Sequence, residues 1–230
     1  MNAEALYFVL TAFILILPLI ALKLGREWLI ALHPIFLITG NVFAQSFTSV
    51  FGLLTSFAIP VYAGTFLVTD LLSEHYGRRE ALRAVWVGIA GQIIFLGVLA
   101  VVLLGPVQPE YQEAFKQALS IIPRLIIGSF IAFITAQHVD VIVYHTLKSL
   151  SGGKIDNLSI AVRNNISTWF SQAIDTLIFL TIAFLGTEMF PTFGSLLPFM
   201  LFTWLFKVGV ALFDTAAIIY SKKIVLNTKK

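Results

Sequence analysis

Asp175 stands in the stretch "FSQAIDTLIFL" (170–180) with Leu, Ile and Phe for neighbours, and Lys207 stands in "TWLFKVGVALFD" (203–214) in similar company. A charge at the centre of a membrane helix costs about 2.5–3.5 kcal/mol on an insertion scale. Groups kept there despite that cost grip a ligand, line an ion path or relay a proton. Mutual pairing is the cheapest arrangement, Lys207 with Asp175 or with Asp140. A pair that merely fixes helix packing is the competing reading, and it is the weaker one because apolar replacements of buried pairs often stabilise as well or better.

Asp140 belongs to a second string. "AQHVDVIVYHT" (136–146) and "SQAIDTLIFLT" (171–181) both carry Q-x-x-D, which puts Gln137 with Asp140, and Gln172 with Asp175, on one helix face. The two segments are expected to run in opposite directions, so the pattern is either an inverted echo of the kind that builds transporter sites or a chance recurrence. Asn41, in "ITGNVFAQ", is a deep amide suited to an interhelical hydrogen bond or to a ligand's polar edge. Asp70 and Glu74 lie one turn apart and His75 follows. That trio is either a proton-handling cluster at the inner mouth or the solvated end of a helix. Trp169 and Trp204 fall inside apolar stretches, as candidates to stack on a planar ligand or as ordinary lipid-facing or core aromatics. His33, His138 and His145 are scattered, which favours packing or interfacial roles over metal. Arg124 reads as a side chain snorkelling at a helix start.

The elements that hold these groups follow from composition. The chain has 230 residues, 58% hydrophobic and only 12% charged, with a mean hydropathy of +0.92. No single soluble core hides that much apolar surface. The expectation is an all-α, polytopic membrane helix bundle in the lipid bilayer. There is no cysteine, hence no disulfide framework and no thiolate. The net charge of +3 comes from Lys and Arg in short loops, which is an orientation signal and not a nucleic-acid footprint.

Spans of about 20 residues can be placed at 5–23, 28–47, 56–75, 84–104, 119–146, 164–186 and 195–220. That is seven helices in one integral domain, 1–230, read as an added N-terminal helix (1–27) ahead of a six-helix core (28–222). The first span has Glu4 in place of a basic start and no small-residue cleavage site, so it reads as mature and not as a signal peptide. Basic residues alternate between loops: Lys23 and Arg26, then Arg78, Arg79 and Arg83, then Lys148, Lys154 and Arg163, then Lys222, Lys223, Lys229 and Lys230. These loops should be cytoplasmic, with the N-terminus outside and the C-terminus inside. Gly77 is a C-cap candidate, Pro106 and Pro109 break the chain after helix four, and "SLSGGKIDN" is a flexible linker. Gly88, Gly91 and Gly97 permit close helix contact, which leaves a homodimer open.

The motifs of common enzymes are absent. There is no H-E-x-x-H and no G-x-S-x-G, and "SGGK" lacks the leading Gly of a nucleotide-binding loop. The chain therefore carries no ATP-hydrolysing loop of its own.

Four strings in order, "FLVTDLLSEHYGRREA", "FITAQHVDVIVYHTLK", "STWFSQAIDTLIFLTIAF" and "LFKVGVALFDT", resemble the queuosine precursor transporter family, also called the vitamin uptake transporter type. The likeness runs from about residue 29 to 220, and the family core is usually drawn with six helices. The resemblance implies a stand-alone secondary transporter, with no cofactor and no catalytic residue. It would bring 7-deazaguanine bases across a bacterial or archaeal inner membrane for synthesis of a modified tRNA nucleoside. The family's polar positions correspond to Asn41, Asp70, Gln137, Asp140, Asp175 and Lys207, with Gln172 beside them. On this reading the Asp175 carboxylate accepts hydrogen bonds from the N1–H and exocyclic amine of a guanine-like base. Asn41, Gln137 and Gln172 would serve its carbonyl and ring nitrogens. Lys207 would neutralise the empty site's carboxylate, and Asp70, Glu74, Asp140 and Lys207 are the candidates for proton coupling. The partner is a small nucleobase-like molecule. The rival reading is the substrate-binding subunit of an energy-coupling-factor importer with a separate ATPase module, and a third is an intramembrane enzyme.

Overall fold

The computed structural model describes residues 2–105, 114, 116–150 and 157–228. Among them lie seven long helices and one hairpin: α1 (Ala3–Leu24), α2 (Arg26–Val42), β1 (Phe47–Val50), β2 (Leu53–Ser56), α3 (Ala58–Tyr76), α4 (Arg78–Leu104), α5 (Ile122–Leu150), α6 (Asn157–Phe184) and α7 (Phe193–Thr228). Among the described residues five helical segments are long and apolar enough to cross a membrane: Ala3–Leu24, Arg78–Leu104, Lys116–Ala136, Ile166–Phe184 and Phe193–Phe213. The protein is a multi-pass helical membrane protein. The shorter members are α2, whose 17 residues extend about 26 Å at ~1.5 Å per residue, and the 19-residue α3, which carries Asp70 and Glu74.

The bundle is not purely helical. The second span, expected to run to residue 47, stops at Val42, and the uncharged stretch after it folds into an antiparallel ribbon. Its register pairs Phe47 with Ser56 and Val50 with Leu53. The reason is local: Phe51 and Gly52 take φ of 51° and 78°, two consecutive left-handed residues that make a tight reversal between β-branched and hydroxyl-bearing residues. Ser56 then anchors the chain. Its hydroxyl donates to the Ala44 carbonyl at 2.9 Å and accepts from the Ala58 N–H at 3.1 Å.

Other boundaries shift modestly. Helix α4 begins at Arg78 and α6 at Asn157, each several residues before the expected span, because polar residues extend a helix beyond the hydrocarbon at no cost to its hydrogen bonding. Gly77 ends α3 as expected, at φ 87°, with its N–H on the Ser73 carbonyl. The stretches 106–113 and 151–156, with Pro106, Pro109 and most of the linker, lie outside the described residues.

The chain forms two compact units, Met1–Pro123 with Gly209–Lys230, and Arg124–Val208. In the first, α1, α2, α3 and α4 bury Ile14, Leu29, Phe36, Leu67, Val68, Leu71, Leu72 and Ala84 in one apolar core. Two glycines permit the approach. A Cβ on Gly64 would lie 2.6 Å from Ile14 and 2.7 Å from Phe36, and one on Gly88 would lie 2.5 Å from the His33 ring. Gly88 and Gly91 both face α2, while Gly97 has open space around it. Tyr7 of α1 is fully buried and its hydroxyl meets Thr55 of the hairpin at 3.2 Å.

In the second unit α5, α6 and the first part of α7 pack together. Phe184, Phe190 and Phe199 close one end, with Phe190 stacked on Phe199 at 5.4 Å and both nearly inaccessible. Arg124 does not snorkel away from the protein. Its guanidinium donates to the carbonyls of Ile182, and of Leu185 at 2.6 Å, at the C-terminal end of α6. Those carbonyls have no partner of their own in the helix, and a cation there also meets the negative end of the helix dipole.

Candidate functional site

Helix α6 holds Gln172, Asp175 and Thr176 within a little more than one turn, with Trp169 one turn before them. Helix α7 holds Thr203 and Lys207 one turn apart. These sets share faces because residues three and four apart are helix neighbours. The two helices meet through their charges: Lys207 Nζ donates to Asp175 Oδ2 at 2.7 Å, with side-chain exposures of only 9% and 19%. Of the two carboxylates considered as partners for Lys207, Asp175 is in contact with it, and the Asp140 side chain lies outside the described residues.

Three polar atoms on these same two helices are buried without a hydrogen-bond partner among the described residues: Gln172 Oε1, Thr176 Oγ1 and Thr203 Oγ1. Thr176 and Thr203 are 1% and 3% exposed. A buried polar atom left unpaired costs about 1–3 kcal/mol, so three of them on the two helices that carry the ion pair mark a place equipped to bond something polar. Sequence reading missed both threonines. A hydroxyl in a membrane helix usually bonds the carbonyl one turn back, as Thr135 does with Ile131 at 2.8 Å, and sequence gives no sign that these two do not.

Trp204 and Trp169 also come together, through the Trp204 indole N–H donating to the Trp169 backbone carbonyl at 3.1 Å. The Trp169 ring is 38% exposed. Gln137 and Asp140 lie on α5 in the same unit, but their side chains fall outside the described residues, as do those of Asp214 and His145.

The remaining candidates lie in the first unit. Asn41, 1% exposed, accepts a hydrogen bond from the Tyr62 hydroxyl through Oδ1, and its Nδ2 has no partner among the described residues. His33 Nδ1 and Gln92 Nε2 are likewise buried without a partner among the described residues. Asp70 and Glu74 are exposed near the end of α3, and His75 Nε2 lies 2.6 Å from the Ser221 hydroxyl. Beside them a surface network joins the start of α2 to the start of α4. Arg26 pairs with Glu27 at 2.8 Å and Glu80 at 3.5 Å, and Arg83 reaches both carboxylates at 3.4 Å. The Arg26 hydrogen bond holds the Glu27 carboxyl below its ordinary range, ahead of the span that begins at residue 28. Among the described residues no three His, Cys, Asp or Glu side chains gather to hold a metal.

Comparison with known proteins agrees with this picture. Residues 56–221 match the family described as "Putative vitamin uptake transporter". Over its whole length the chain is 30% identical to a Bacillus subtilis protein named "Probable queuosine precursor transporter", covering 98% of that protein. No solved structure matches the chain. An ion pair sunk in a helical membrane bundle beside unsatisfied amide and hydroxyl groups suits a carrier of small polar molecules, and the chain belongs to this vitamin uptake transporter family, a family of transporters and not of enzymes.

Proposed function

We propose that this protein is a stand-alone secondary transporter that takes up 7-deazaguanine bases, the precursors of queuosine, across the cytoplasmic membrane. All seven long helices would span, with the basic loops and C-terminus inside and the N-terminus outside. The observation that carries the reading is the Lys207–Asp175 pair at 2.7 Å on two helices that also carry Gln172 Oε1, Thr176 Oγ1 and Thr203 Oγ1, unpartnered among the described residues. The name of the Bacillus subtilis relative supports the choice of cargo.

In the empty site Lys207 neutralises Asp175, which keeps a lone carboxylate out of a poorly solvated place. An arriving base offers N1–H and an exocyclic amine side by side, and the carboxylate accepts both. Lys207 then turns to the cargo carbonyl or releases its charge to another acid, for which Asp140 on α5 is the candidate. Gln172 Oε1 adds an acceptor, Gln137 a further amide, and Trp169 and Trp204 are the candidate aromatic faces for the ring. In the first unit Asn41 offers an amide donor, and Asp70 with Glu74 stands where protons exchange with water.

The test is uptake of radiolabelled 7-deazaguanines by the purified chain in liposomes without ATP. Uptake that is lost in Asp175→Asn supports the proposal. Wild-type uptake in both Asp175→Asn and Lys207→Ala removes the site. Binding without uptake favours the energy-coupling-factor subunit, and a chemically altered product favours an enzyme.

A further inference from the structure

We infer that Thr176 and Thr203 are specificity residues whose hydroxyls bond the cargo directly, at a site with no cation to spare for a phosphate. The inference rests on the transporter reading above and refines its site. Both hydroxyls are almost fully buried, one on each helix of the Asp175–Lys207 pair, and neither has a partner among the described residues. Thr203 is one turn from Lys207 and Thr176 adjoins Asp175, so each hydroxyl belongs to a helix turn already committed to the site.

The chemistry of these groups limits what they accept. Asp175 takes up the charge of Lys207, which leaves no cation among the described residues of the site to spare for a phosphate. Gln172 Oε1 and the carboxylate only accept, whereas each hydroxyl both donates and accepts. A cargo edge matching this set must bring N–H donors and at least one acceptor, as the N1–H, amine and carbonyl of a guanine-type base do. A nucleotide of the same base would carry its phosphate into a place with nothing to neutralise it.

The discriminating experiment measures binding of 7-deazaguanine to the purified full-length chain in nanodiscs, for the wild type and for Thr176→Val, Thr203→Val and the serine variant at each position. Valine keeps the shape and removes the hydroxyl, and serine keeps the hydroxyl. Each valine should weaken binding about tenfold, the size of one lost hydrogen bond to an otherwise unpaired group, and serine should restore most of it. Thermal unfolding of the empty protein should show the valine variants as stable as the wild type or more so, since an unpaired buried hydroxyl has been removed. Guanosine monophosphate should not compete with the base.

Unchanged affinity in both valine variants overturns the inference and leaves the transporter reading standing, as does weakened binding that serine fails to restore. Effective competition by the nucleotide overturns the claim that the site has no cation to spare for a phosphate. Failure of the wild type to bind any 7-deazaguanine brings down the transporter reading, and this inference with it.

Discussion

Lys207 and Asp175 hold one another at 2.7 Å across two helices, and neither side chain is more than one-fifth exposed. Breaking such a pair from one side strands a charge, which costs about 3–5 kcal/mol. Lys207→Met alone and Asp175→Leu alone should therefore both lower the unfolding midpoint. The double variant should recover most of that stability and still transport nothing. Recovery of transport in the double variant would show that the pair serves packing and not cargo.

Gly64 sits where α3 packs closely against both α1 and α2. Gly64→Ala drives a methyl into Ile14 and Phe36. Overpacking costs about 1–3 kcal/mol, which outweighs the gain of up to about 1 kcal/mol that alanine brings to a helix interior. Net destabilisation is expected. Gly97→Ala, where nothing lies within 4 Å, should do the opposite and stabilise. Denaturation of the two variants in the same detergent compares them directly.

Arg124 bonds two carbonyls at the end of α6. Arg124→Leu should cost about 1–3 kcal/mol because both acceptors lose their donor. Arg124→Lys should recover only part, since an ammonium cannot reproduce the guanidinium fork. Equal stability of the leucine and wild-type proteins would show that water serves those carbonyls as well.

The Arg26–Glu27–Glu80–Arg83 network is exposed at three of its four members and should respond to pH and salt in the manner of a surface feature. The Glu27 carboxyl titrates below its ordinary range because of its hydrogen bond from Arg26. A depressed carboxyl contributes stability that is present above its unfolded pKa and fades as pH falls through the folded one. Glu27→Gln should flatten that acid-side loss and lower neutral-pH stability by the same small amount. A variant that still shows the full acid-side loss assigns it to another carboxylate.

Much of the bundle was legible because lipid leaves few ways to satisfy a backbone: long apolar runs must be helices, and the positions of Asp175 and Lys207 in such runs announced a partnered pair. The choice of partner was not legible, since helix depth allowed Asp140 as well. The hairpin was missed because its apolar residues continue the hydropathy of α2, and the turn signal is a single Gly after Phe51. Thr176 and Thr203 were missed for a different reason. Their importance lies in bonds they do not make inside the protein, and a sequence records residue types but not which of them are left unsatisfied.

The β1–β2 ribbon ties off its inward-facing backbone amides strand to strand and carries no charged residue between Phe47 and Ser56. Such a segment tolerates the headgroup layer, where a slack loop of the same length would have to stay wet. Its neutrality also leaves it no vote in how the nascent chain is threaded by the insertion machinery. Lengthening or tagging the reversal at Gly52 should therefore give a marker for one face that leaves the direction of threading as it was.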